Sequence, residues 1–225
     1  GDADVFLDTI PDYTMLDVAQ NISRLDFTLL KRSMTKHASG LYLLPRPVQI
    51  QDISLVTADA VQRVFGLLKA TFSHVIFDLS KAYNRVDMTA LASANQVLLV
   101  TQLDLPCLRN VVRLMMSFEE TDNLKDKVLI VVNRVGLDNG HISLKKAEDT
   151  IGREIHWRLP NDYRVMVEMR NNGVPLIEQA PRAGITQSIV GLAEDLSGAP
   201  KTEDIAETDE KGRWLNFWGK SKAKS

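Results

Sequence analysis

The sequence lacks the cysteine pairs that would form internal disulfides and the long apolar runs that would span a membrane. Cys107 is the only cysteine among 225 residues, so an internal disulfide is excluded, which suits a reducing cytoplasm. No apolar run approaches the ~18 residues of a membrane-spanning helix, and no segment has the pattern of a signal peptide. Hydrophobic residues make up 44% of the chain and charged residues 25%, enough for one sizeable core. We therefore expect one globular domain.

Motifs for metal binding, for a catalytic serine and for phosphate binding are also missing. The histidines have no metal-ligand spacing with each other or with Cys107, and no serine stands in a nucleophile elbow. One apparent phosphate loop, Gly219-Lys220-Ser221, fails because Trp214 occupies the position of the first glycine and no strand precedes it. The early glycines at positions 1, 40 and 66 are not followed by the required lysine and hydroxyl residue.

Charge is unevenly distributed along the chain. Residues 211–225 carry five basic residues and no acid, so the total of −2 leaves −7 for residues 1–210. Residues 199–210 are acidic and poor in apolar residues, which indicates a solvated linker. We therefore divide the chain into a domain at 1–198, a linker at 199–210 and a basic tail at 211–225. The negative balance of the body argues against a specific nucleic-acid partner.

Short apolar runs alternate with segments of helical periodicity, which predicts an α/β fold with a mostly parallel sheet covered on both faces. The runs predicted as strands are Leu41–Pro45, Val75–Leu79, Val97–Gln102, Lys127–Asn133 and Ile155–Leu159. The segments predicted as helices are Ala58–Lys69, Arg85–Ser93, Pro106–Phe118, Leu144–Ile151, Arg164–Arg170 and Gly184–Leu196. Thr14, with Asp17 three residues later, predicts a capped helix that runs through Asn21.

Ligands of such sheets bind at the carboxyl ends of the strands, which directs attention to the polar residues there. Asp78 closes one predicted strand, and its carboxylate could hold a Mg²⁺-bound water beside phosphates. Asn133 closes another strand and offers both a donor and an acceptor, as the edge of adenine requires. Pro160, Asn161 and Asp162 follow a third strand. Helix capping and ordinary turn chemistry are the alternative interpretations of these residues.

Four segments resemble the TadZ/CpaE branch of the ParA/MinD ATPases, and the similarity extends from Gly1 to about Gly198. They are LVTQLDLPCLRN (99–110), VVNR (131–134), LPNDYR (159–164) and EQAPR (178–182). Gly1-Asp2 and the following VFLDTIPDYTMLDV are similar to a segment that comes after the phosphate loop in this family. The resemblance therefore implies a P-loop NTPase fold whose deviant Walker A loop, with any receiver-like domain, lies upstream of residue 1. The first residue is Gly1 rather than Met, which also indicates a fragment or processed piece.

The same resemblance implies the roles of individual residues. Asp78 corresponds to the Walker B acid that acts on Mg²⁺ through water. Asn133 and the turn of Pro160, Asn161 and Asp162 correspond to positions that contact the adenine of ATP. Arg134 follows the family pattern beside Asn133, although a solvated charge at a strand end is the alternative.

The family resemblance implies an ATP-binding protein for the assembly and polar localisation of tight-adherence (Flp-type) pili. Its partners would be a second copy in an ATP-dependent homodimer and the pilus (Tad/Cpa) secretion machinery. The intact protein would be the ATPase, and this chain alone should not hydrolyse ATP. A non-hydrolysing localisation scaffold and a chromosome or plasmid partition ATPase are the alternatives.

The basic tail has the pattern of a membrane-surface helix. Trp214, Leu215, Phe217 and Trp218 would share one helical face among basic residues. From Lys211 to Gly219 the segment is similar to the membrane-binding tail of MinD, with Asn216 where a basic residue is common. We therefore expect a cytoplasmic protein that is peripheral at the inner face of the membrane, and the family resemblance also implies a polar position. A tail that folds back onto the domain is the alternative.

Overall fold

The computed structural model describes residues 3–80, 82–121, 123–137 and 142–198, except for the side chain of residue 50. The predicted linker and the predicted membrane-binding residues Trp214, Leu215, Phe217 and Trp218 lie outside the described residues. No helix in the described ranges is long and apolar enough to cross a membrane.

The described residues form ten α-helices and five strands. In chain order the helices are α1 (Ala3–Phe6), α2 (Met15–Gln20), α3 (Phe27–Arg32), α4 (Ala58–Thr71), α5 (Arg85–Ser93), α6 (Leu105–Glu119), α7 (Leu144–Ile151), α8 (Tyr163–Asn172), α9 (Leu176–Gln179) and α10 (Gly184–Ser197). The strands are β1 (Thr35–Lys36), β2 (Tyr42–Leu43), β3 (Val97–Thr101), β4 (Val128–Val135) and β5 (Ile155–Pro160). Short 3-10 turns cover Ile22–Arg24, Ile50–Leu55 and Lys125–Lys127.

A parallel sheet of order β3-β4-β5 forms the centre of the fold, with helices on both faces. Ile130 and Val132 of β4 pack on one face with residues of α6 and α7. Trp157 is the register partner of Val131 and lies on the other face, where its indole donates to Ser188 of α10. Covered strands of this kind are the parallel α/β arrangement that the alternation of elements predicted, and the fold class is confirmed.

Local side-chain chemistry accounts for most of the helix boundaries. Thr14 and Asp17 form a capping box at the start of α2, as predicted. Asp104 and Ser143 accept hydrogen bonds from the first turns of α6 and α7. The α7 helix ends at Gly152, whose left-handed φ of 73° is the usual glycine solution for a helix end. The six predicted helices are confirmed, each within two residues at either end.

The predicted strand at Leu41–Pro45 is wrong in its role. Tyr42 and Leu43 form the short antiparallel strand β2, which pairs with β1 instead of joining the parallel sheet. The pairing follows from local sequence, because residues 37–41 bring the chain back on itself at Gly40, where φ is 91°. A two-residue strand in a hairpin cannot be told from a buried strand by its apolar content alone.

The predicted strand at Val75–Leu79 is not a strand within the described part of the chain. The segment has the alternating burial of a strand, because Val75, Phe77 and Leu79 pack inward while Ile76 is 90% exposed. A strand is defined by ladder hydrogen bonds, and no described segment pairs with this one. The apolar pattern therefore predicted the direction of each side chain but not the missing neighbour.

Two buried clusters hold the fold together. The first joins β4 and α6 through residues such as Leu108, Phe118 and Ile130. The second joins α2, α3 and α4 through residues that include Val18, Leu30 and Val64. Leu79 packs against both clusters, so the extended segment that contains Asp78 lies where they meet.

Candidate functional site at the carboxyl ends of the strands

The structure places three of the predicted nucleotide-binding residues at the carboxyl edge of the sheet. Asn133 and Arg134 stand near the end of β4, and Asn161 follows the end of β5. The Asn161 backbone N–H donates to the Val135 carbonyl at 2.8 Å, which ties the two strand ends to each other. The Arg134 Nε atom donates to the Asn161 side-chain oxygen at 3.4 Å. These three side chains are half-buried, so they remain accessible to a ligand.

A backbone irregularity in β4 shapes this group. The register between β4 and β5 shifts between Val132 and Val135, and Arg134 adopts a left-handed φ of 58°. Left-handed backbone is uncommon for a residue other than glycine and is found disproportionately at functional sites. The Asn133 side-chain oxygen accepts from the Arg134 N–H at 2.8 Å and so stabilises the bulge. The bulge lies near the carboxyl end of β4, where the Asn133 side chain is half-buried.

Pro160 and Asp162 have structural roles that the geometry makes plain. Asp162 caps α8 by accepting from the Val165 N–H at 3.2 Å, which is the alternative that its position after a strand suggested. Pro160 closes β5 and lies against Gly184 at the start of α10, 4.0 Å from the point where a β-carbon of that residue would stand. Both residues therefore fix the turn that presents Asn161.

Asp78 lies one residue before Leu79 on the outward side of the extended segment, where its side chain is exposed. The turn that follows is held by Asp87 of α5, which is only 5% exposed. The Asp87 carboxylate accepts from the Ser80 N–H at 3.1 Å, from the Ser80 hydroxyl at 2.5 Å and from the Asn84 N–H at 3.0 Å. Three hydrogen bonds to one buried carboxylate anchor the segment immediately after Asp78.

Tyr83, within the same turn, is held in a strained conformation. Its φ is 47°, in the left-handed region that a bulky residue rarely adopts. Burial, and then the nearby carboxylate of Asp87, raise the pKa of the Tyr83 hydroxyl above its usual value. Neither Tyr83 nor Asp87 was among the residues predicted from the sequence. Asn84-x-x-Asp87 has the spacing of a capping box and is the signal that could have identified the anchoring carboxylate.

Strand β3 and the extended segment that contains Asp78 are both incompletely covered by the described residues. One edge of β3 pairs with β4, and its other edge has no partner strand in the described ranges. Val100 of β3 is 56% exposed and Ile76 is 90% exposed, although both belong to apolar, strand-like segments. The uncovered Ile76 lies two residues before Asp78, the residue that the sequence resemblance predicts to be the Walker B acid.

The described acids, histidines and cysteine form no group of three or more that could hold a metal ion by itself. One carboxylate from the protein is enough for Mg²⁺, because this ion keeps several waters and takes its other ligands from phosphate oxygens. Asp78 therefore fits a Mg²⁺ ion that arrives with a nucleotide. The donor set does not fit a protein-only metal cage.

Comparison with known proteins bears on the whole domain. No family model matches the chain. An uncharacterized ATP-binding protein of Methanocaldococcus jannaschii is 26% identical over 171 residues, which are 76% of this chain and 64% of that protein. The septum site-determining protein MinD of Synechocystis sp. is 26% identical over 190 residues, 83% of this chain and 69% of that one.

Solved structures give the same result. A ParA family ATPase from Chlorobium tepidum superposes with a TM-score of 0.81 at 25% identity, over 87% of this chain and 81% of that chain. MinD from Pyrococcus horikoshii, solved with Mg-ADP, superposes with a TM-score of 0.71 at 19% identity, over 86% of this chain and 77% of the other. Together, the relatives and structures show that this chain is similar to ParA/MinD ATPases in sequence and in fold.

This similarity confirms the broader part of the resemblance read from the sequence. The pilus-associated branch, the start of the chain after the phosphate loop and the roles of the individual site residues stay predictions. The chain covers 64% of the length of the archaeal relative, which is less than the length of a whole protein of that kind.

Proposed function

We propose that this chain is the larger part of an ATP-binding switch of the ParA/MinD type, with its base site at Asn133, Arg134 and Asn161. The observation that carries the proposal is that these three polar residues lie at the carboxyl edge of the parallel sheet, where Arg134 is hydrogen-bonded to both Asn133 and Asn161. Open parallel α/β folds bind ligands at that edge. The amide of Asn133 can donate and accept, which is what the edge of adenine needs.

The phosphates would be bound by a loop that these 225 residues do not contain. The unpaired edge of β3 and the exposed Ile76 and Val100 support this proposal, since a further strand and helix would cover them. In this proposal the phosphate loop lies at the carboxyl end of that added strand. It would then stand between Asp78 and the end of β3, within reach of a Mg²⁺ ion near Asp78.

Each residue would have a distinct task in the switch. Mg²⁺, when bound, would neutralise charge on the β and γ phosphates. The Asp78 carboxylate would orient a water of that ion, and Asp87 would fix the turn after Asp78 through Ser80 and Asn84. Asn133 would read the base, while Arg134 would hold Asn161 in position. Pro160 and Asp162 would fix the turn on which Asn161 is presented.

We further propose a cellular role in the assembly and polar localisation of tight-adherence pili, as the TadZ/CpaE resemblance implies. Nucleotide would be sandwiched between two copies, and the dimer would recruit the pilus secretion machinery. The basic tail, with Trp214, Leu215, Phe217 and Trp218, would attach the dimer to the cytoplasmic membrane surface. Dimerisation would strengthen a single weak tail by avidity.

Hydrolysis in the intact protein tests the Mg²⁺ assignment. Asp78→Ala should abolish ATP turnover, while Asp149→Ala on the exposed surface of α7 should leave it unchanged. Turnover at the wild-type rate in Asp78→Ala would refute the assignment of Asp78. An intact protein that binds ATP without any turnover would instead support the localisation-scaffold alternative.

A partition ATPase is the second candidate, and the TM-score of 0.81 to a ParA family ATPase favours keeping it. Such proteins need non-specific DNA binding, which weakens steeply with added salt. Mobility-shift titration of the ATP-bound intact protein with random-sequence duplex separates the candidates. Salt-sensitive DNA binding together with normal pilus assembly after gene deletion would favour partition over the pilus role.

A further inference from the structure

A basic and aromatic cleft lies between α3 and the β1–β2 hairpin, away from the proposed nucleotide site. Its volume is about 430 Å³, and it is lined chiefly by Phe27, Lys31, Arg32, Met34, Lys36 and Tyr42. Lys36 is the direct cross-strand partner of Tyr42, so the two side chains share one face of the hairpin. Phe27 is 46% exposed, although it is a large apolar side chain.

Two of the three cations of the cleft, Lys31 and Lys36, lie over aromatic rings. The Lys31 Nζ atom lies 5.8 Å from the Phe27 ring centroid and 5.6 Å from that of Tyr42. The Lys36 Nζ atom lies 5.8 Å from the Tyr42 centroid. Among the described residues, no carboxylate forms an ion pair with either lysine or with Arg32. The positive charge of the cleft is therefore available to an external anion.

The acid nearest in sequence to Phe27 and Lys31 already forms a hydrogen bond within the protein. Asp26 precedes α3 and accepts a hydrogen bond from the Leu29 N–H at 2.7 Å, which caps the helix. Its charge is directed at the helix terminus, where it interacts favourably with the dipole. The local surface thus differs in sign from the body of the chain, which is negative overall.

The cleft lies at the amino edge of the sheet, opposite the proposed nucleotide site. The Tyr42 ring is 5.3 Å from that of Phe72, the residue that ends α4. Lys69, in the last turn of α4, donates to the carbonyl of Ser93 at the end of α5. Lys127, just before β4, donates to the carbonyl of Ala92 at 3.0 Å. These contacts connect the cleft to the amino end of β4.

The end of the described chain lies at the same edge. The His156 Nε2 atom, at the amino end of β5, is 2.9 Å from the carboxylate of Asp195 in the last turn of α10. The chain therefore leaves α10 at Gly198 on the side of the sheet where the cleft is found. The basic and aromatic residues of 211–225 follow from that point in the sequence.

We propose that the cleft is a docking surface for an anionic lipid bilayer. Aromatic rings such as Phe27 and Tyr42 are favoured at the level of the headgroups, where one part is apolar and the other wet. Lys31, Arg32 and Lys36 would face the lipid phosphates. The cleft shares its basic and aromatic composition with residues 211–225, which follow Gly198 in the sequence, and this favours a membrane over a nucleic acid or an acidic peptide.

The inference rests on the peripheral membrane association in the proposed function and adds a second contact to it. A tail alone would let the body tumble on its linker. A second contact at the amino edge would hold the body in one orientation, with the nucleotide edge directed away from the bilayer. The nucleotide site would then remain accessible to a second copy and to partner proteins.

Charge reversal in the full chain measures the contribution of the cleft to lipid affinity. Lys31→Glu with Lys36→Glu should lower partitioning onto phosphatidylcholine–phosphatidylglycerol vesicles by about fivefold for each lysine. Lys145→Glu with Lys146→Glu, on the exposed side of α7, makes the same change in net charge as a matched control. Equal losses in the two double variants would mean that only net charge matters and would overturn the proposal.

A fluorescent label distinguishes the cleft from the tail. With Cys107→Ser, an environment-sensitive dye at Phe27→Cys should shift to the blue on anionic vesicles and not on phosphatidylcholine alone. The same dye at Met116→Cys, on the exposed side of α6, should not shift. Circular dichroism of each labelled variant verifies that the fold is retained.

The outcomes separate this inference from the proposed function. Vesicle binding without a shift at position 27 would leave the tail as the anchor and overturn the docking role of the cleft. A shift at position 27 that persists in Trp214→Glu with Trp218→Glu would support the cleft even if the tail is not an anchor. A shift with DNA or an acidic peptide, but not with vesicles, would overturn the membrane assignment.

Discussion

Two regions with similar apolar sequences differ in structure. They are the hydrogen-bonded strands β4 and β5, called the paired half, and the extended segment Val75–Leu79 with the turn after it, called the open half. Val128–Val135 and Ile155–Pro160 form paired strands that are covered by helices on both faces. Val75–Leu79 has an equally apolar, alternating pattern, yet it has no ladder partner among the described residues and leaves Ile76 exposed. The difference shows that an apolar pattern determines which side chains point inward, whereas a neighbouring strand is needed to complete the element.

The largest loss of stability is expected from a substitution in the buried core of the paired half. Ile130 has no exposed surface and lies in the first buried cluster, so Ile130→Ala should cost about 3 to 4 kcal/mol of unfolding free energy. Urea denaturation followed by circular dichroism measures this value. A loss below about 1 kcal/mol would mean that the β4 core is not the stabilising centre.

Removal of the buried Asp87 carboxylate, which holds the turn in the open half, should have the next largest effect on the free energy of unfolding. Asp87→Ala deprives Ser80 and Asn84 of their common acceptor and should cost about 2 kcal/mol. Asp149→Ala, at an exposed position of α7, is the matched control and should change stability by less than about 0.5 kcal/mol. Similar midpoints for the two variants in urea would show that the turn after Asp78 is not held by this carboxylate.

A smaller effect is expected where α10 packs on the paired half. Trp157→Phe removes the indole N–H that donates to the Ser188 carbonyl at 3.0 Å, while most of the ring is kept. The cost should be about 1 kcal/mol, the usual net value of one hydrogen bond. Thermal unfolding of the two proteins tests it, and a stabilised Trp157→Phe would contradict the assignment.

The smallest effect should come from the exposed residue of the open half. Ile76→Ala in this 225-residue chain should change stability by no more than about 0.5 kcal/mol, because its side chain is already in water. In the intact protein, where a further strand and helix are proposed to cover it, the same substitution should cost about 2 kcal/mol or more. Equal small effects in both proteins would argue against a covering element.

Much of the fold could be predicted because the signals are local. The boundaries of Arg85–Ser93 and Leu144–Ile151 follow from their caps and periodicity, and the Thr14–Asp17 capping box is visible in the sequence alone. The position of Asn133 and Asn161 at one edge of the sheet could be predicted because the carboxyl ends of parallel strands meet there.

The remainder depends on contacts that no local pattern encodes. The left-handed backbone at Arg134 arises from the register shift between β4 and β5, and the sequence VVNR contains no glycine that would signal it. The cleft of Lys31, Lys36 and Tyr42 joins a helix to a hairpin, so its members are separated in sequence. Val75–Leu79 was predicted as a strand because periodicity is blind to the absence of a partner.

Base selectivity of the intact protein tests the central claim most directly. Calorimetric titration with Mg-ATP and Mg-GTP should show that Asn133→Leu weakens ATP binding by about 1 to 3 kcal/mol, because a polar edge of adenine is left unpaired. The preference for ATP over GTP should shrink at the same time. Asn172→Leu, an exposed position at the end of α8, is the control and should bind as wild type does. Unchanged affinity of Asn133→Leu for both nucleotides would contradict the account and leave Asn133 as a residue that only stabilises the bulge.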